Sequence, residues 1–104
     1  MSLVQRRIFY GKVGSGHRLI ELMEQGNMLV RGAGLAIKPR VLSDHNSGRT
    51  DRIVVEWEAE SLQELEAIQT EVPAYPEGPE EFDKFFAELS ELIEYAEVET
   101  WQVH

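Results

Sequence analysis

The chain lacks cysteine altogether and has no long apolar run. Without cysteine there is no disulfide, no thiolate ligand for a metal and no cysteine nucleophile. A membrane-spanning helix needs roughly 18 or more consecutive apolar residues, and no segment approaches that length. We recognise no secretory signal either. These absences predict a soluble protein with a cytoplasmic location and no membrane partner.

Histidine is scarce, and the three imidazoles are widely separated along the chain. They are His17, His45 and His104, and no two stand at the His-x-x-x-His spacing that brings two ligands to one helix face. The turn at 14–17 has glycines but lacks the Gly-Lys-Ser/Thr ending of a phosphate loop. We therefore expect a plain strand-to-helix connection there, no metal site and no cofactor.

The net charge is −9, but the two halves of the chain differ in sign. Residues 1–52 carry nine Lys or Arg and four Asp or Glu, whereas residues 53–104 carry one Lys and fifteen Asp or Glu. Phosphate binding needs a clustered excess of cations, so nucleic acid is not an expected partner. We expect the basic and acidic segments to pair within the fold or across a dimer.

Hydrophobic patterning predicts the fold. Residues 35–59 form two alternating segments around a short Gly-containing loop, which is the pattern of a β-hairpin. The other predicted elements are strands over about 4–13 and 97–104, and helices over about 17–31, 61–71 and 79–93. This order, β-α-β-β-α-β, predicts one α+β domain over residues 1–104, with a ferredoxin-like antiparallel sheet.

Local signals support these boundaries. Ser15 can cap the first helix, Ser61-Leu62-Gln63-Glu64 is a capping box, and Pro79 suits a first helical position. Pro39 cannot donate a hydrogen bond to a neighbouring strand, so the second strand is expected at an edge of the sheet, in the order 4-1-3-2. The acidic residues between 77 and 94 lie opposite an apolar stripe and predict a solvated helix face.

One face of the hairpin is charged and the other is apolar. Pairing Asp44 with Thr50 places Lys38 opposite Glu56, on the face that also carries Arg40 and Arg52. If two subunits oppose these faces, arginine forks can bind a carboxylate or phenolate of a small ligand there. The alternative is a solvated or inter-subunit network of ion pairs.

The chain resembles the dimeric α+β barrel superfamily, and within it the NIPSNAP-like and antibiotic-biosynthesis-monooxygenase-like branches. The resemblance is carried by Arg7-Ile8-Phe9-Tyr10-Gly11-Lys12-Val13-Gly14, Arg40-Val41-Leu42-Ser43-Asp44, Ser47-Gly48, Arg52-Ile53-Val54-Val55-Glu56-Trp57-Glu58 and Ser61-Leu62. It implies a homodimer in which two ferredoxin-like sheets form one barrel. Known members include cofactor-independent monooxygenases, haem-degrading enzymes, cyclases and proteins without an assigned activity.

The resemblance also adds to the site on the charged face of the hairpin. It favours Arg7 and Phe9 of strand one facing that side, which completes a predicted ligand-binding set of Arg7, Phe9, Lys38, Arg40, Arg52 and Glu56. The haem-degrading members combine an Asn, a Trp and a His. Trp57 stands on a comparable strand, but strand one has no Asn and the helix over 82–93 has no His.

Three functions follow as hypotheses. The first is a module that binds a small anionic or aromatic molecule, in a cavity between sheet and helices or between the two sheets of a homodimer. The second is a cofactor-independent monooxygenase that acts on an aromatic or quinol substrate. The third is a structural dimer without a ligand. No catalytic residue can be assigned from the sequence, so whether the protein is an enzyme stays open.

Overall fold

The computed structural model describes residues 2–44, 50–74 and 78–104. The predicted hairpin loop at 45–49, which includes His45, and the predicted loop residue Pro76 lie outside this part of the chain. The elements are β1 (Leu3–Gly11), α1 (Gly16–Gly32), β2 (Lys38–Ser43), β3 (Arg52–Ala59), α2 (Leu62–Ala74), α3 (Gly78–Leu92) and β4 (Ile93–Gln102).

The four strands form one antiparallel sheet in the order β2-β3-β1-β4. The α+β ferredoxin-like prediction is therefore confirmed, and Pro39 does lie on an edge strand. All three helices pack on one face, which we call the helix face. The opposite face, which no helix covers among the described elements, is the open face.

The predicted hairpin register is wrong by two residues. Glu56 pairs with Arg40 rather than Lys38, and Lys38 pairs with Glu58. The Asp44 N–H donates to the Arg52 carbonyl, so Asp44 lies opposite Arg52 instead of Thr50. Thr50 and Asp51, the latter with a positive φ of 60°, therefore belong to the connection and not to the strand. Because side chains alternate with a period of two, a shift of two changes the partners but preserves both faces.

The predicted orientation of β1 is also wrong. Phe9 lies on the helix face, where it is buried against α1 and β3 residues such as Leu19 and Ile53. Arg7 shares that face, whereas Arg6 lies on the open face and its Nη2 is 2.6 Å from Glu56 Oε2. Burial of the Phe9 ring decides the orientation, since the reversed strand would place the ring on the open face.

The core lies between the sheet and the helices, in two neighbouring clusters of buried apolar side chains. One contains Phe9, Leu19, Leu22, Met23, Ile53, Val55 and Leu89, and the other contains Val30, Ile37, Ala59, Leu65 and Ile68. The described helices include none that is long and apolar enough to cross a membrane.

The element ends differ from prediction mainly in the second half of the chain. The capping box is confirmed in part, because the Glu64 N–H lies 3.4 Å from Ser61 Oγ, while the Glu64 carboxylate accepts from the Glu60 N–H. The last helix ends at Leu92, and β4 begins at Ile93 instead of Glu97. Pairing with β1 continues along β4 through a bulge to Gly11, which draws this segment into the sheet.

Charges from the two halves of the chain pair within the fold, which is one of the two arrangements that the sequence predicted. Arg18 of α1 binds Glu88 of α3 with two guanidinium nitrogens, one of them 2.6 Å from Oε1. Arg6 lies beside Glu56 and, at 3.9 Å, Glu99. These pairs link elements that are distant in sequence.

Candidate functional site

A cavity of about 300 Å³ lies between the helix face of the sheet and all three helices. Its walls are mostly aliphatic and aromatic. The lining residues are Arg7, Phe9, Met23, Gly26, Asn27, Leu29, Val30, Val55, Trp57, Leu65, Ile68, Gln69, Phe82, Phe85, Phe86 and Leu89. Phe86 is 49% exposed, so the cavity reaches solvent beside α3.

The indole of Trp57 is held in place by a polar residue of α1. Its Nε1–H donates to Asn27 Oδ1 at 3.0 Å, and Asn27 is only 5% exposed. Because a buried amide without a partner is costly, this bond orients both side chains. Trp57 therefore presents a fixed ring to the cavity.

Arg7 brings a positive charge into these apolar walls. Its guanidinium carbon is 5.4 Å from the Trp57 ring centroid, within the range of a cation–π contact. Its Nε donates to Gln5 Oε1 at 3.3 Å. Burial lowers the pKa of Arg7, but a guanidinium stays protonated at physiological pH.

Three phenylalanines form the α3 wall of the cavity. Phe82 and Phe85 each meet Phe86 edge to face, with ring centroids 4.8 and 5.3 Å apart. Phe85 also lies against Gly26 of α1, where an added Cβ would come 2.8 Å from the ring. Gly26, which the sequence places inside a helix, is therefore a site of close helix-to-helix packing.

The open face carries a network built around one buried carboxylate. Glu56 is 6% exposed, and its two oxygens lie 2.6 Å from Arg6 Nη2 and 2.6 Å from Arg40 Nη2. Burial alone raises the pKa of Glu56, but hydrogen bonds from Arg40 and Arg6 outweigh it and hold the pKa below its usual value. Lys38 is a looser neighbour, 3.9 Å from Glu58.

Arg52 belongs to a second, shallower depression of about 400 Å³ on the open face. Its guanidinium binds Asp44, with Nη2 2.5 Å and Nε 2.7 Å from Oδ2. Tyr10, which also lines this depression, stacks on Tyr95 of β4 with ring centroids 4.3 Å apart. The cations on this face thus already have carboxylate partners within the chain.

The structure divides the six predicted ligand-binding residues between two places. Arg7 and Phe9 line the cavity, whereas Lys38, Arg40, Arg52 and Glu56 lie on the open face. Sequence reasoning did not single out Asn27 or Gln69, two polar residues of the cavity walls. Asn27 had a usable signal, because it lies four residues after Met23 and three before Val30, within the apolar row of α1.

The glycine turn before α1 binds an anion supplied by the protein itself. The Asp51 carboxylate accepts from the Gly16 N–H at 2.8 Å and from the Gly14 N–H at 3.2 Å. These two backbone bonds lower the pKa of Asp51. Ser15 occupies the predicted cap position but makes no side-chain cap bond, so the carboxylate of Asp51 caps the helix instead.

Across the described part of the chain, no group of three or more His, Asp or Glu side chains is arranged to hold a metal ion. His17 lies in the first turn of α1 and His104 at the exposed end of the chain. Neither lines the cavity.

No family model matches the chain, and no curated protein matches it. Solved structures do share its fold. A NIPSNAP family protein from Agrobacterium tumefaciens has a TM-score of 0.75 at 17% identity, with 100% of this chain and 94% of that chain covered. A NIPSNAP domain protein from Burkholderia xenovorans gives 0.74 at 14%, covering 98% and 94%.

A third similar structure is a dimeric protein of unknown function and ferredoxin-like fold from Bacteroides fragilis. It has a TM-score of 0.70 at 16% identity, and the match covers 98% of this chain and 96% of that chain. The resemblance to NIPSNAP-like proteins is thereby confirmed at the level of the fold. The likeness to the antibiotic-biosynthesis-monooxygenase-like branch stays a prediction.

Proposed function

We propose that this protein is a homodimeric α+β barrel protein that binds a small, largely apolar molecule in the cavity between the sheet and the helices. The observation that carries the proposal is the cavity itself, whose volume is about 300 Å³. That volume is within the range of small-molecule sites, and apolar walls with a few polar groups are typical of them. A protein that served only as a structural dimer would gain nothing from keeping this space unfilled.

The chemistry of the walls favours binding over acid–base catalysis. The polar lining residues are Arg7, Asn27, Trp57 and Gln69, and no Asp, Glu or His joins them among the residues that the structure describes. Proton transfer usually needs such a group within hydrogen-bond reach of the substrate. The monooxygenase hypothesis would therefore depend on reactivity that the substrate itself supplies.

The homodimer is supported by apolar surface on the open face. Leu42, Tyr95 and Trp101 lie on that face and are 38%, 48% and 56% exposed. Exposed apolar side chains on an uncovered sheet face often contribute to an interaction site, and the Bacteroides fragilis protein of the same fold is described as dimeric. A cytoplasmic location stays a prediction.

Calorimetric titration with the neutral probe 2-naphthamide tests the cavity. We expect the wild-type protein to bind the probe, and Val30→Phe to abolish binding because Val30 lines the cavity and is buried. Val13→Phe is the matched control, since Val13 is 91% exposed outside the cavity. Equal binding by Val30→Phe and wild type would contradict the proposed site.

A further inference from the structure

Arg7 differs from the arginines that form ion pairs within the fold. Arg6 and Arg40 share Glu56, Arg52 binds Asp44, and Arg18 binds Glu88. Arg7 has no carboxylate partner among residues 2–44, 50–74 and 78–104. It is nevertheless partly buried, and the cavity walls around it are mostly apolar. An unpaired charge in such surroundings is costly, so its presence needs a reason.

The guanidinium is oriented so that its outer nitrogens stay available. Gln5 accepts from Nε, and the guanidinium carbon lies over the Trp57 ring. Within the described chain, neither terminal nitrogen of Arg7 has a hydrogen-bond acceptor. Two parallel N–H donors in this fork match the two oxygens of a carboxylate.

The surroundings would strengthen a bond to such an anion. The residues beside Arg7 on the neighbouring strands are Val55 and Val98, and Phe82 and Phe86 contribute to the opposite wall. Apolar neighbours lower the local dielectric constant and so increase the attraction between opposite charges. Since the described lining contains no acidic side chain, an incoming carboxylate would not be repelled within it.

We propose that the ligand is an aromatic carboxylate, whose ring lies among the α3 phenylalanines and whose carboxylate forms a two-point bond with Arg7. This inference rests on the proposed function, because it names the ligand class of the same cavity. It replaces the predicted arginine site of the open face, whose cations already bind Asp44 and Glu56.

The test compares two probes of one shape. Calorimetry measures the affinity of 2-naphthoate and of neutral 2-naphthamide for the wild type, Arg7→Gln and Arg7→Lys. A charge-assisted hydrogen bond corresponds to roughly ten- to hundredfold in affinity, so we expect the wild type to prefer the carboxylate by at least about tenfold. Arg7→Gln should lose that preference while keeping its affinity for the amide.

The variants separate charge from geometry. Arg7→Lys keeps the charge but loses the planar fork, so an intermediate preference is expected. Arg31→Gln is the matched control, since Arg31 is exposed on α1 and does not line the cavity. It should bind both probes as the wild type does.

Two results would overturn the inference while leaving the cavity function intact. One is equal affinity of the wild type for both probes. The other is an Arg7→Gln variant that weakens both probes equally, which would give Arg7 a structural role only. Failure of the wild type to bind either probe would instead contradict the proposed function, and the ligand class with it. If Arg7→Gln does not fold, Arg7→Lys still tests the inference, because a preference for the carboxylate equal to that of the wild type would contradict the two-point bond.

Discussion

At the scale of single residues, Asp51 connects the hairpin to the start of α1. Its carboxylate accepts two backbone N–H bonds, from Gly14 and Gly16, and these bonds lower its pKa. A carboxylate whose pKa is depressed in the folded state stabilises the fold above its unfolded pKa of 3.8, and this contribution disappears as pH falls through the lower folded value.

We therefore expect Asp51→Asn to lower the thermal midpoint at pH 7, because asparagine tolerates the positive φ but cannot supply the charge. The difference from wild type should be constant down to about pH 4 and then shrink in more acidic buffer. Calorimetric melts at pH 7, 5 and 3 measure it. A variant as stable as wild type at pH 7 would show that this cap contributes little.

Glu56 is the residue on which the open-face network depends. We expect Glu56→Gln to lower the free energy of unfolding by about 1–2 kcal/mol, since it removes the charge shared by Arg6 and Arg40, whose side chains are both partly exposed. Urea unfolding measures the loss. Glu58→Gln is the matched control, because Glu58 makes only a loose contact with exposed Lys38. This substitution should change the free energy of unfolding by less than about 0.5 kcal/mol. Equal losses in the two variants would contradict this ranking.

At the scale of elements, the contact between α1 and α3 limits the size of the cavity. Gly26→Ala should gain helix propensity of about 1 kcal/mol but place a Cβ 2.8 Å from the Phe85 ring. We expect the ring to turn into the cavity, so that affinity for 2-naphthamide falls although the fold remains stable.

Gly32→Ala is the matched control for this helix, since an added Cβ meets nothing within 4 Å there. It should not change the affinity of the cavity for 2-naphthamide. If Gly26→Ala bound the probe as tightly as Gly32→Ala, the Phe85 ring would not have turned into the cavity, contrary to this prediction.

The sequence predicts the two faces of the hairpin but not the register of its strands. Strand alternation predicts which residues of the hairpin share a face, because its period is two, but it leaves the register open by multiples of two. The observed register leaves Asp51 in the connection, where it accepts bonds from Gly14 and Gly16, and such contacts between segments distant in the sequence are not visible in strand alternation.

The cavity was harder to predict than the sheet. The apolar stripe of α3 is visible in the sequence, but periodicity cannot distinguish a filled core from walls around a space. The predicted orientation of β1 rests on the family resemblance, which favours Arg7 and Phe9 on the charged face. Strand alternation shows only that these two residues share a face, and burial of Phe9 takes both to the helix side.

At the scale of the whole molecule, the open face should join two copies. We expect the wild-type protein to sediment as a dimer and Val54→Glu to sediment as a monomer, because Val54 lies on that face beside Ile8 and a carboxylate is costly to remove from water in an interface. Val13→Glu, at an exposed position, should remain dimeric. Sedimentation velocity decides this, and a dimeric Val54→Glu would show that another surface forms the interface.

The two tryptophans report directly on whether the ligand binds between the sheet and the helices, as we propose. Trp57 lines the cavity, whereas Trp101 lies on the open face. The measurement is a ¹H–¹⁵N spectrum of the two indole N–H groups, assigned with Trp101→Phe, before and after addition of 2-naphthoate. We expect the Trp57 signal to move and the Trp101 signal to stay in place. A shift of Trp101 with an unchanged Trp57 would contradict it, because the probe would then lie on the open face.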